Sequence, residues 1–544
     1  MRPWSLAATA AIALPTLAVA CGSLDPQTAP GLVGDDDDSY QTPGSGGSAM
    51  VTLSGADMPD GIAEEPPTDT ATYEEVGTNP FVITAHDPLS TFAADVDTAS
   101  YDIFRRAAGA SSLPDPASVR LEEYVNYFDY GYEAPAYDAE VPFDIHLAAA
   151  PGLFEPETVM LRVGIQGRDA QPAAEKRPSN LVFLVDISGS MASSDKLPLV
   201  QLTLHETLGV LDPDDTVSIV TYAGSTGVAL PPTSVSDRST IESVIENFSA
   251  GGSTAGASGI DLAYAQAEAA FIDGGINHVI LCTDGDFNVG PSSTEELVSL
   301  IEEKRRSGIT LTVLGFGTGN DAMMEAISNK GNGVYGVMVD EESVTRYVKE
   351  RMLSTMDFIA KDMKIQVEFN PDEVRAYRLL GYENRAIEDT LFRDDTIDAG
   401  EIGAGHSVTA LYELVLVGTE VPVPEGAPAP QNGDPYTGQV EIDPADLALV
   451  KIRYKQVDAT ETDPALEVNA TIAPEDIATS EAEQDAAFQW ATAIASLAEI
   501  LKQSPYADPE RLDLIEAIVA RPVFDDDADK RELETLLAGI AGQL

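Results

Sequence analysis

Asp186, Ser188 and Ser190 stand at i, i+2 and i+4 at the end of an apolar run, Val182-Phe183-Leu184-Val185. Such a run reads as a strand buried on both faces of a parallel sheet. Where the strand ends and the chain turns, short oxygen-bearing side chains at this spacing can converge on one point. Two hydroxyls and a carboxylate make a hard, all-oxygen donor set, suited to Mg²⁺ or a similar small cation rather than to zinc. Two further segments have the same character. One is Gly251-Gly252-Ser253-Thr254-Ala255-Gly256; the other is Val279-Ile280-Leu281-Cys282-Thr283-Asp284-Gly285, a second apolar strand closing on an aspartate. Each alone could be ordinary strand-end turn chemistry, where Asp, Ser and Gly are common. Three in series point to one site.

Together the three segments resemble the metal-ion-dependent adhesion site of von Willebrand factor type A domains. Asp186, Ser188 and Ser190 match its first loop, Thr254 its second and Asp284 its third, in the family's order and at similar intervals. The resemblance implies a doubly wound sheet with Mg²⁺ (or Mn²⁺ or Ca²⁺) at its carboxyl edge, where open α/β sheets place ligands. It also implies that the serines and Thr254 offer neutral oxygens while one or both aspartates act through water. A metal so held keeps affinity for another anion, so the implied partner is a protein that supplies an acidic side chain. In the family, direct coordination by the threonine can couple to a shift of the last helix.

The elements needed to hold these loops are legible from about Arg177 to Met356. Strands expected at 181–186, 216–222, 278–284, 309–316 and 334–339 alternate with helices at 196–211, 239–248, 258–271, 294–306, 321–328 and 342–355. Such alternation calls for a mostly parallel sheet covered on both faces. Before it, residues 79–176 promise helices at 100–110 and 118–128 and strands at 142–149 and 158–165. After it come strands at 363–369, 407–417, 447–454 and 466–472, then amphipathic helices within 481–544, clearest at 486–501 and 510–518. The strands on either side of the central unit are too few to close a stable sandwich alone. They are expected to pair with each other, so that the α/β unit (177–356) is inserted into a composite β domain built from the 79–176 and 357–480 flanks. Leu89-Ser90-Thr91-Phe92, Asp95 to Tyr101 and Val119 to Phe128 resemble the domain that precedes the type A domain in YfbK-like bacterial proteins. Ile359-Ala360-Lys361-Asp362, Gly381 to Arg385 and Asp398 to Ser407 are similar to the C-terminal domain of the same group.

The first twenty residues have the form of a secretory leader: Arg2, then an apolar stretch from Leu6 to Ala20. Leu17-Ala18-Val19-Ala20-Cys21 resembles a bacterial lipobox, which implies cleavage before Cys21 and lipid on its sulfur. Plain cleavage at Ala20 with a free Cys21 is the alternative. Several acyl chains would hold the protein durably on a membrane. Gly22 follows rather than the aspartate of an inner-membrane retention signal, so a Gram-negative outer membrane is the expected address. Residues 21–78, with Asp35 to Asp38 and Gly44-Ser45-Gly46-Gly47-Ser48, cannot bury an apolar face and are expected to form an acidic tether.

The chain of 544 residues carries 91 acidic and 31 basic side chains, a net charge of −60. Nucleic acid is therefore not an expected partner, since phosphate binding needs a basic face. The two cysteines, Cys21 and Cys282, offer no disulfide framework.

An enzyme is the competing reading. Asp95-Val96-Asp97-Thr98 resembles the Asp-x-Asp start of haloacid-dehalogenase-type phosphatases, which use one Asp as nucleophile beside Mg²⁺. Here Ala99 follows, and no Rossmann-like alternation surrounds the segment. No P-loop lysine follows Gly252, and no Gly-x-Ser-x-Gly elbow occurs. Asp284-Gly285-Asp286-Phe287-Asn288 is half a calcium loop, with Val289 at the obligatory glycine position. His86, His146, His205, His278 and His406 lack zinc spacing. Glu401 and His406, in a Gly-rich polar stretch, merit attention, although a turn role for that stretch is the simpler account. No catalytic residue is assigned.

Overall fold

The computed structural model describes residues 73, 75–94, 97–169, 176–252, 257–285, 294–317, 319–397, 399–420, 441–460 and 463–544. The leader, Cys21, residues 22–72 and 74 of the tether, Asp95, Thr254, and Asp286 with Asn288 lie outside these. The N-terminal flank contributes β1 (Val82–Ile83), β2 (Leu89–Ala93), α1 (Ala99–Gly109), α2 (Leu121–Val125), β3 (Phe143–Pro151) and β4 (Val159–Gly167). The central unit follows: β5 (Ser179–Asp186), α3 (Leu197–Val210), β6 (Thr216–Tyr222), β7 (Thr226–Ser234), α4 (Arg238–Glu246), α5 (Ala257–Ala269) and β8 (Ile276–Thr283). It continues with α6 (Thr294–Arg305), β9 (Thr310–Phe316), α7 (Asp321–Lys330), β10 (Tyr335–Met338), α8 (Glu341–Arg346), a π-helical turn (Tyr347–Arg351) and α9 (Met352–Met356). The C-terminal flank adds β11 (Phe358–Phe369), β12 (Val374–Leu380), β13 (Gly400–Gly403), β14 (Ser407–Leu416), β15 (Ala448–Lys455), β16 (Leu466–Ile472), α10 (Ala486–Leu501), α11 (Leu512–Val519) and α12 (Ala528–Ile540).

The central sheet has the strand order β10-β9-β8-β5-β6-β7, with every pairing parallel except that of β7. Every residue of β5 and β8 is buried, as their unbroken apolar runs require. Leu181, Phe183 and Val185 face α3, α4 and α8. Val182 and Leu184 face the opposite layer, with Ile260 of α5, Ile301 of α6 and Ile327 of α7. Period-two alternation thus serves two cores at once.

The flanks share their sheets. β4 from before the central unit pairs antiparallel with β14 from after it, Val163 opposite Ala410. β1 pairs with β12 and β2 with β11 in the same way. One sheet runs β1-β12-β14-β4-β3; the other holds β13, β11, β15 and β16, with β2 also on β11. Leu161 and Ile165 of β4, Ile365 and Val367 of β11 and Val450 of β15 fill one core between them. The central unit is therefore inserted into a composite β sandwich, as the strand shortage requires. Helices α1, α2 and α10–α12 cover the outer face of the first sheet around Trp490, whose ring lies 5.2 Å from Phe128 and 4.7 Å from Phe524.

Some elements differ from expectation. The helix expected at 118–128 is a 3₁₀ turn at Pro116–Ser118 followed by five residues of α-helix. The helix expected at 342–355 is interrupted by the π turn. Short or half-polar strands β1, β2, β7, β12 and β13 carry no clear alternation, and tertiary pairing forms them. Buried Arg120 joins flank to centre, pairing with Glu123 at 3.2 Å and, on α7, with Asp321 and Glu325.

Candidate metal centre

β5 is the first strand of the central unit, with β6 on one side and β8 on the other, so the direction in which successive strands are added reverses between β5 and β8 while the strands stay parallel. A crevice opens at the carboxyl ends of the strands at such a point. Asp186 ends β5, and Asp284 directly follows β8; both are buried. The Asp186 carboxylate accepts the Ser188 amide at 2.8 Å, which folds the turn back on the strand end. The Ser188 and Ser190 hydroxyls lie 2.9 Å apart. Ser188 is buried while Ser190 is exposed, so the donor set has a closed side and an open side.

Neighbouring loops brace this turn. The Gly189 amide donates to Gly252 O at 3.0 Å, and the Gly251 amide to Ile187 O at 2.8 Å. The first loop is thereby tied to the segment leading into Thr254, which itself lies outside the described residues. On the other side, the loop after β9 presses on Asp284. A Cβ on Gly319 would stand 1.8 Å from Asp284 O, and Gly285 adopts φ +80° where a Cβ would stand 2.6 Å from Asn320 N. Only glycine fits such an approach. The Gly285 amide donates to Thr283 Oγ1 at 3.1 Å.

The electrostatics call for a cation. Burial raises the Asp186 carboxyl above its ordinary value, opposed by the Ser188 hydrogen bonds and reinforced by the charge of Asp284. Lys196, at the entrance to α3, supplies one positive charge. Its ammonium donates to Asp284 Oδ2 at 3.0 Å, and its stem lies over Gly317, where a Cβ would meet Cε at 2.5 Å. Sequence reasoning missed Lys196; the signal was a basic residue five positions past Met191 in a chain where bases are scarce. Among the described residues no three His, Cys, Asp or Glu side chains group as a metal cage. The donor set instead combines two carboxylates with hydroxyls, and this fits a hard divalent ion.

The other candidate residues are placed elsewhere. Cys282 is buried within β8, and burial pushes its thiol up. His278 is buried with Nδ1 2.5 Å from Thr310 Oγ1. Asp97 is buried at the amino edge of the central sheet, far from the metal loops in the fold; it accepts the Tyr335 amide at 2.8 Å and Arg385 at 2.9 Å.

With that geometry in view, residues 180–350 match the von Willebrand factor type A domain model, and residues 67–162 match a von Willebrand factor model. Residues 354–541 match the model of the C-terminal domain of the uncharacterized protein YfbK. The chain is 40% identical over 394 residues to the uncharacterized protein YfbK of Escherichia coli K12, covering 71% of this chain and 68% of that one. The chain belongs to the YfbK family. It carries the type A domain between the two flanks that form the sandwich. Among solved structures, a von Willebrand factor type A protein from Catenulispora acidiphila is 15% identical, with a TM-score of 0.40 over 74% of this chain and 91% of that one. An aerotolerance-related membrane protein from Bacteroides fragilis is 22% identical, with a TM-score of 0.28 over 32% and 98%. No described helix is long and apolar enough to cross a membrane.

Proposed function

We propose that this YfbK-family protein is a lipid-anchored envelope protein that captures a protein partner through a divalent metal at the β5/β8 crevice. The reading rests on one observation: Asp186, Ser188, Ser190 and Asp284 converge there as a hard oxygen set with an exposed side at Ser190. Asp186, Ser188, Ser190, Thr254 and Asp284 would hold Mg²⁺, or Mn²⁺ or Ca²⁺ in its place, and the bound ion would attract a carboxylate from the partner. Ser188 and Ser190 orient their oxygens through the Asp186-anchored turn, and the Gly251–Gly252 contacts hold that turn still. Cys21 would carry the lipid, with the outer membrane as its address. Against the hydrolase alternative, both Asp97 carboxylate oxygens are engaged, by a backbone amide and by Arg385; Asp95, the first carboxylate of that Asp-x-Asp pair, lies outside the described residues.

Calorimetry of the full chain in detergent tests this. We expect saturable Mg²⁺ and Mn²⁺ uptake, lost in Asp186→Asn, and binding of a glutamate-containing peptide that disappears with EDTA. In EDTA, Asp186→Asn should melt at or above the wild type, because it removes a buried charge. Equal metal uptake by the wild type and Asp186→Asn would overturn the reading.

A further inference from the structure

A second site lies at the amino edge of the central sheet, where it meets the sandwich. A cavity of about 470 Å³ opens there, within the range of about 300–1,000 Å³ usual for small-molecule sites. Asn329 and Asn332 line it from the type A domain; Glu401 and His406 line it from the sandwich. The wall is preorganised. Asn332 accepts from Arg305 at 2.6 Å and donates to Glu401 at 2.6 Å. Asp97 and Arg385 pair with each other at 2.9 Å.

Other groups remain for a guest. His406 Nε2 lies 2.7 Å from Ser354 Oγ, whose hydroxyl donates to Arg351 O at 2.7 Å. With Nε2 donating to that hydroxyl, Nδ1 presents a lone pair, shielded from solvent and without a partner among the described residues. Burial, aided by Arg351, lowers the imidazole pKa to about 3, so it stays neutral. The side chains of Asn329 and Glu388 have no hydrogen-bond partner among the described residues, and Lys330 reaches only Glu302, at 3.6 Å. These groups mix donors with acceptors.

The charges narrow the ligand class. Three lining carboxylates (Asp97, Glu388 and Glu401) face two cations (Lys330 and Arg385), and the chain as a whole is at −60. The field therefore disfavours an anion. A cation would need a bare carboxylate in the interior, but Asp97 and Glu401 are committed to Arg385 and Asn332, and Glu388, which has no partner among the described residues, is exposed to water. Hydroxyls both donate and accept, so a polyol satisfies such a lining without bringing charge. Phe358 adds an apolar surface for the C–H face of a ring.

We propose that this cavity binds a neutral polyhydroxyl ligand of mono- or disaccharide size, gripped by Asn329, Asn332, Glu401 and His406. A ligand held so touches the inserted domain and the sandwich together and stabilises their junction.

The test uses the full chain with glucose, N-acetylglucosamine and N,N′-diacetylchitobiose, beside ethanolamine and succinate as charged controls. We expect at least one saccharide to raise the melting temperature and to bind saturably by calorimetry. Asn329→Ala should weaken that binding tenfold or more and leave Mg²⁺ uptake unchanged; His406→Phe should weaken it likewise. The Asn329 side chain makes no hydrogen bond or ion pair among the described residues, so its variant reports on binding even if the histidine variant fails to fold. Failure of all three sugars, binding by ethanolamine or succinate alone, or wild-type sugar affinity in Asn329→Ala would each overturn the proposal.

Discussion

Asp186 and Asp284 set the chemistry of the crevice, and Lys196 sets its balance of charge. Two buried carboxylates beside each other repel, and a single ammonium at 3.0 Å from Asp284 relieves part of that cost. Lys196 also competes with any divalent ion for the same charge. A full charge this close to a shielded carboxylate is worth more than about 1.4 kcal/mol. Lys196→Met should therefore tighten Mg²⁺ binding roughly tenfold or more and lower the melting temperature in EDTA. Calorimetry and thermal melts measure both. Weaker metal binding in that variant would instead mean that Lys196 serves to position Asp284.

Among the elements, β11 does the most joining. Its first half pairs with β13 and its second half with β2, while β15 runs along its other edge. The changeover falls between Met363 and Lys364, just after Asp362, which has φ +52° and lies within the register shifts, a bulge that redirects the strand. β2 is held further by Thr91, whose hydroxyl donates at 2.5 Å to Asp389 in the 3₁₀ turn Asp389–Leu391. Burial pushes the Asp389 carboxyl up to about 6; the charge of Asp87 adds to this and the Thr91 bond opposes it. The folded state thus holds this proton more tightly than the unfolded chain, where the ordinary value is 3.8. Its contribution to stability is present below about pH 4 and is lost as pH rises towards and through about 6. Asp389→Asn should melt above the wild type at pH 7, with the difference shrinking towards pH 4. Melting curves across that range check this; a difference independent of pH would exclude the carboxyl as its source.

For the whole molecule, insertion is the governing fact. The sandwich closes only when the chain returns after the type A domain, because β4 finds its second neighbour in β14, about 250 residues later. Helix α10 then packs on α2 and seals the same sheet. Residues 79–176 produced alone keep only the β3–β4 pair, which is marginal by itself. They should show no cooperative thermal transition by circular dichroism. A sharp transition from that fragment would contradict the shared-sheet account.

Much of this was legible in the residues. The alternation of apolar runs with 3.6-period segments predicted the central sheet, and Asp186, Ser188, Ser190 and Asp284 could be proposed as metal ligands because strand-end chemistry is local. The need for flanking strands to pair followed from counting them. The small strands β1, β2 and β13 were not legible, since their few residues have no period of their own and exist as partners of longer strands. Nor did Asp97, Glu401 and His406 announce a common cavity, though each had drawn notice separately. By itself, the order of residues determined where strands end in oxygen-bearing turns, because that information spans five or six neighbours. Only the tertiary structure decided that Lys196 neutralises Asp284, that Asp97 is spent on Arg385, 288 positions away, and that the inserted domain and the sandwich enclose a polar cavity. Those outcomes depend on which distant segments meet, and burial in the assembled core selects among the meetings.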